Sequence, residues 1–136
     1  MSKASLFNPV LAKRKTKNVD RKTWRNLHGS SASLALFQGA HSADAPILLI
    51  THDTPTALRL EQELHSLNTS KNKTLDICLF PDWETLPYDT FSPHQDIISQ
   101  RLATLYQLSR MKKGIVIVPV TTLAQRLAPK SYLQAN

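Results

Sequence analysis

From Pro46 onward, short apolar runs alternate with stretches of helical periodicity, the pattern of βαβ units around a parallel sheet. The run Ile47-Leu48-Leu49-Ile50-Thr51 predicts a first strand. Behind it, Ala57, Leu60, Leu64 and Leu67 fall three and four apart and predict a helix with one buried face, capped by Thr54 with Pro55 at its first position. Arg59 and Glu63, four apart on the other side, form an ordinary solvated pair contributing about 0.3 kcal/mol. Residues 68–74 are polar and predict a loop. A second strand follows at Asp76 to Phe80, without the alternation of a half-exposed strand, as suits one covered on both faces.

Residues 81–96 carry Pro81, Pro87 and Pro93 beside Trp83, Tyr88 and Phe91, so regular structure pauses in a long packed loop. Ser92-Pro93-His94-Gln95 has the form of a capping box and predicts a helix start close by. Ile98, Leu102, Leu105 and Leu108 give that helix its inward face. Arg110, Lys112 and Lys113 suit the negative end of its dipole, and Gly114 separates them from a third strand at Ile115 to Val118. Thr121 to Leu127 reads as a short helix ended by Pro129.

Ahead of the first strand, Leu27 to Phe37 reads as a turn running into a helix, with Gly39 as its C-terminal signal. In a nucleotide-binding α/β domain the phosphate loop takes this place, feeding a helix whose N-terminus holds the anion. That motif needs G-x-x-x-x-G-K-[ST], because backbone amides cradle the phosphates, lysine pairs with their charge and the hydroxyl holds magnesium. Here Gly29, Ser30, Ser31 and Ser33 are present, but no Gly-Lys dipeptide occurs in the chain. The expectation is a degenerate loop that does not bind ATP productively.

Length and composition narrow the class. A chain of 136 residues with 41% hydrophobic content suits one domain with a single core. No apolar run approaches the eighteen or so residues a membrane-spanning helix needs, and the polar, basic start lacks the apolar segment of a secretory signal. Scarcity of acids near the N-terminus resembles a transit peptide, but Lys dominates over Arg and no amphipathic period accompanies it. A cytoplasmic protein without membrane contact is the expectation. Cys78 lies in an apolar run and reads as a buried, inert thiol.

The net charge of +7 is uneven. Up to Arg25 there are eight basic residues (Lys3, Lys13, Arg14, Lys15, Lys17, Arg21, Lys22 and Arg25) against Asp20, and the rest of the chain is balanced. Residues 1–26 therefore read as a basic arm and 27–136 as the folded part. Such an arm suits phosphate backbones through counterion release, which makes Lys13, Arg14, Lys15, Lys17, Arg21, Lys22 and Arg25 candidate DNA contacts; a solvated, unspecific charge run is the alternative.

No catalytic group or metal site emerges. His52 and Asp53 are adjacent and His94 and Asp96 are two apart, and neither spacing matches a zinc motif. Helix starts account for both pairs. Trp83, Tyr88 and Phe91 could form a base-stacking platform, but Asp82, Glu84 and Asp89 make the loop repel phosphates. Packing against the protein's own core is favoured, with a docking surface as the alternative.

The segment from Asp82 to Ser99 closely resembles the N-terminal region of transcription-repair coupling factors. The similarity continues through Arg101-Leu102-Ala103-Thr104-Leu105-Tyr106-Gln107-Leu108 and Val116 to Arg126, and reaches back to Leu48-Leu49-Ile50 and Ala57-Leu58-Arg59-Leu60. Residues 1–25 show no such match, which suggests an extension or an altered start. The resemblance implies a three-layer α/β fold with a mostly parallel sheet, the first and incomplete part of a RecA-like, UvrB-like helicase domain. It also implies a larger enzyme that displaces RNA polymerase stalled at damaged DNA, moves on duplex DNA by ATP hydrolysis and recruits UvrA. In that family the phosphate loop of this module is decayed, and Gly29 to Ser33 is similar to it. No cofactor is expected in this chain; ATP and magnesium belong to the family's motor. UvrA, RNA polymerase and DNA are bound mostly through regions beyond Asn136, and this piece's immediate partner is the rest of the coupling factor. A stand-alone basic-arm nucleic-acid-binding α/β domain is the competing reading, and a reading frame continuing past Asn136 would decide against it.

Overall fold

The computed structural model describes residues 21–69, 75–83 and 95–127. In chain order these give α1 (Ser31–Ser42), β1 (Ile47–Thr51), α2 (Thr54–Leu67), β2 (Asp76–Leu79), α3 (Gln95–Arg110), β3 (Gly114–Pro119) and a single turn, α4 (Val120–Leu123). The three strands form one parallel sheet in the order β1-β3-β2, with Ile47 opposite Ile115 and Asp76 opposite Gly114. The α/β class and the parallel sheet expected from the alternating pattern are present.

The last strand of the described residues, β3, is central in space. All six residues of β3 are buried, which is why Gly-Ile-Val-Ile-Val-Pro shows no polar alternation. On one face Ile115 and Ile117 join Ala40 of α1 and Ala57 and Leu64 of α2, and Ile47, Leu49, Ile77 and Leu79 pack against them. On the other face Val116 and Val118 join Cys78, Phe80 and Met111, with Leu105 of α3 packed against them. Helices thus lie on both sides, α1 and α2 on one and α3 on the other.

Several boundaries differ from the sequence expectation for identifiable reasons. Asp53, not Thr54, caps α2: its carboxylate accepts the Thr56 amide at 2.8 Å, a stronger acceptor than a hydroxyl for an orphan helix N–H. Helix α1 runs through Gly39, which is buried in the helix interior and ends nothing. Strand β2 stops at Leu79, β3 extends one residue at each end of the expected run, and α4 is shorter than the expected helix to Leu127. Gly114 has φ +151°, and a Cβ there would lie 2.2 Å from the Asp76 carbonyl oxygen, so the sheet requires glycine at the entry to β3. Helix α3 begins at Gln95; Ser92, Pro93 and His94 of the expected capping box lie outside the described residues.

The expected inward face of α3 is covered only in part. Leu102 and Leu105 are half-buried, but Ile98 and Leu108 are exposed, and the one buried residue of the helix is Arg101. Cys78 is buried, and burial raises its thiol pKa first, with the nearby charges of Asp76 and Glu61 adding to it, so it is the inert core thiol expected. No helix among the described residues is long and apolar enough to cross a membrane.

Candidate functional site

The turn into α1 is built as a helix start. Gly29 adopts φ +55°, the left-handed conformation that glycine enters without cost, and Ser30 stands at the N-cap. The amide and hydroxyl of Ser31 both donate to the His28 carbonyl, at 3.1 and 2.7 Å. Residues 21–28 approach the turn without regular structure, whereas a phosphate loop is fed by a strand.

Ser33, fully buried in the first turn of α1, donates its hydroxyl to the Glu63 carboxylate of α2. The second oxygen of Glu63 accepts from Arg59 at 2.8 Å. The hydrogen bond from Ser33 is the main reason the Glu63 carboxyl titrates below its ordinary range, with Arg59 lowering it further. The Arg59 to Glu63 pair was expected as a solvated surface pair; the structure adds that it ties α2 to the first turn of α1. Where a nucleotide-binding loop needs a lysine cation and a hydroxyl free for magnesium, this chain places a carboxylate and a hydroxyl already engaged. The loop carries no lysine, and the carboxylate beside Ser33 is already paired with Arg59.

A second cluster occupies the carboxyl ends of β2 and β3, the edge of a parallel sheet where ligands usually bind. Arg101 is 3% exposed, with its guanidinium between two rings, 4.4 Å from the centroid of Phe80 and 4.2 Å from that of Trp83. Its Nη1 donates to the Pro81 carbonyl at 2.5 Å and to Gln125 Oε1 at 3.0 Å, while Nη2 is buried without a partner. The Asp82 carboxylate accepts from Thr121 at 3.1 Å, from the Trp83 amide at 2.8 Å and from the Gln125 side-chain amide. Burial lowers the Arg101 pKa and the nearby Asp82 charge works against that shift.

Trp83 is half-buried, and its ring stacks on the internal Arg101 cation. Tyr88 and Phe91, the other two members of the aromatic group, lie outside the described residues. Arg101 is the residue that periodicity reasoning passed over. Its signal was available: it stands three residues after Ile98 and four before Leu105, a lone charge inside an apolar stripe.

No family model matches the chain. It is similar to the transcription-repair-coupling factor of Haemophilus influenzae, with 43% identity over 134 residues, and to that of Escherichia coli, with 46% identity over 110 residues. These alignments cover 98% and 81% of the chain. The chain belongs to the transcription-repair-coupling factor family.

It spans about a tenth of the length of these curated relatives, 11% of the first and 9% of the second. The coupling factor of Rickettsia bellii aligns over 86 residues at 35% identity. The Haemophilus alignment takes in nearly the whole chain, so the basic arm is not foreign to the family, contrary to the expectation of an unmatched extension. Of the candidate DNA contacts in this coupling-factor sequence, Arg21, Lys22 and Arg25 are exposed, while Lys13, Arg14, Lys15 and Lys17 lie outside the described residues. His52 Nε2 contacts the Asp53 carboxylate at 2.9 Å on an open surface, and Asp53 is engaged in capping α2. Among the described residues, no three His, Cys, Asp or Glu side chains gather as a metal site would require.

Proposed function

We propose that this chain serves as a scaffold module without ATPase activity inside a transcription-repair coupling factor, in the incomplete first part of a UvrB-like domain. The whole protein, on this reading, is cytoplasmic, displaces RNA polymerase stalled at DNA damage and brings in UvrA-dependent excision repair, with ATP and magnesium used by a motor elsewhere in the polypeptide. The observation that carries the non-catalytic assignment is the Ser33 to Glu63 contact, which sets a carboxylate at the helix start where a nucleotide's phosphates would need a cation. The name shared by the relatives supports the repair role.

Calorimetric titration of the chain with a non-hydrolysable ATP analogue and magnesium should give no saturable heat; a micromolar affinity would overturn the assignment. DNA affinity, on the same reading, resides in the basic arm, because the remainder of the chain has no net charge. Removing residues 1–25 should abolish binding to duplex DNA, and the intact chain should lose affinity steeply as salt rises. Unchanged binding after the deletion would reassign the contact to the α/β body.

A further inference from the structure

Arg101 is buried without an anion in contact with it. It is 3% exposed, and no carboxylate among the described residues forms an ion pair with it. Asp82 acts on it through space, but that carboxylate is taken up by Thr121, the Trp83 amide and Gln125. Arginine is rarely buried unpaired, because stacking between rings does not replace the water that a guanidinium loses. Its Nη1 has two acceptors and its Nη2 has none. The side chain thus keeps one unused donor arm.

Arg101 also lines a cavity of about 220 Å³ that adjoins the cluster at the carboxyl ends of β2 and β3. Trp83, Ile98, Leu102, Leu105 and Leu127 give it apolar walls, and Arg126 is its second cation. Arg126 is exposed and forms no ion pair among the described residues. Pockets that hold a whole cofactor run from about 300 Å³ upward, so this one suits a body near the size of one side chain. Apolar walls cannot replace the water around a doubly charged phosphate, whereas a carboxylate brings a single charge and a body that such walls favour. A guanidinium fork meets the two carboxylate oxygens with parallel N–H groups.

We infer that this cavity is a binding site for a carboxylate carried on an apolar body, either a free small acid or an acidic side chain next to an apolar one in a polypeptide. The carboxylate pairs with Arg126 at the rim and with Nη2 of Arg101, and the body lies against Ile98, Leu102 and Leu127. Nη2 is closed to water in this structure, so occupancy shifts its surroundings, and the Trp83 ring, 4.2 Å from the guanidinium, reports the shift. The inference does not depend on the proposed function, since it uses neither the helix start at Gly29 nor the basic arm.

The test uses the full 136-residue chain, with phenylacetate and the peptide acetyl-Leu-Glu-Leu-amide as probes and the Trp83 indole N–H resonance as readout. At least one probe should move that resonance saturably, with half-saturation at about 1 mM or below, and the tighter of the two names the source of the ligand. Acetate, inorganic phosphate and 2-phenylethanol, which lack the body, the single charge and any charge respectively, should bind at least about tenfold more weakly. Arg126→Gln, at an exposed side chain, should weaken the acid at least about fivefold with an unchanged melting temperature. Arg101→Met should abolish binding in a chain whose circular dichroism still shows the fold. Four results would overturn the inference: no saturable shift with either acid, equal binding of 2-phenylethanol or phosphate, full binding in both arginine variants, or binding that emerges only after Glu84→Gln and Asp89→Asn. The last would mark the site as one that the chain's own carboxylates fill.

Discussion

On the face packed by α1 and α2, Ile115 and Ile117 are fully buried and the edge strand β1 adds Ile47 and Leu49 to a closed layer. On the face toward α3, the same strand presents Leu48 and Ile50 with 56% and 52% of their surface open. The residue types are the same on both sides, so the difference arises from what lies above them. Two helices cover the first face. Among the described residues one helix covers the second, and its buried contact, Arg101, stacks on Phe80 and Trp83 just after β2, which places α3 over β2 and leaves Leu48 and Ile50 of β1 exposed. Strand hydrophobicity reports that a face prefers burial, and the position of the covering helix decides whether it obtains it.

The sharpest way to break this comparison is to shorten one leucine on each side. Leu64→Ala, in the closed layer, should cost about 3 kcal/mol, because a fully buried leucine loses both its transfer energy and its packing. Leu48→Ala, on the open face, should change stability by less than about 0.5 kcal/mol. Urea unfolding of the two variants checks the pair, and equal losses would mean that the open face is covered in solution.

A smaller loss is expected from Arg101→Met. It removes two cation–π contacts and leaves the Pro81 carbonyl and Gln125 without their donor, while relieving the unpartnered Nη2. The net cost should be about 2 kcal/mol, with Trp83 fluorescence shifting as its ring loses the guanidinium. Normal stability with normal fluorescence would show that Arg101 does not anchor α3.

Glu63→Gln should give the smallest effect, visible only in the pH profile. The folded carboxyl titrates below the ordinary 4.5, so its contribution is fully present above that value and is lost as pH falls through the lowered folded value. The variant should therefore lose stability less steeply than the parent chain in acid and track its slope near neutrality. Solvent around Glu63 keeps the difference small. An unchanged acid limb would mean that the contact with Ser33 does not stabilise the fold.

The strands and α2 were readable because their signals are local: unbroken apolar runs, a three-and-four spacing, and Pro55 at a helix start. The glycine before β3 was readable as a separator, but the reason it must be glycine, the approach of the Asp76 carbonyl, needed the pairing of two distant segments. The same limit hid the second partner of Glu63. Its helix neighbour Arg59 is four residues away, whereas Ser33 lies on another helix whose placement no periodicity supplies. Arg101 was hidden differently, since a helix-period reading counts apolar residues and passes over a cation whose partners are aromatic faces.

The order of the sheet also bears on how the chain acquires it. Strand β3 lies between β1 and β2 but is made after both, and each pairing joins segments far apart, Ile47 with Ile115 and Asp76 with Gly114. During synthesis β1 and β2 leave the ribosome before β3, the strand that both pair with among the described residues. Each loop must therefore close around β3, which makes assembly slow and leaves Ile-Leu-Leu-Ile open to unwanted partners in the interval. A trigger-type chaperone that holds this nascent segment until β3 emerges would raise the yield of folded chain without altering its final stability.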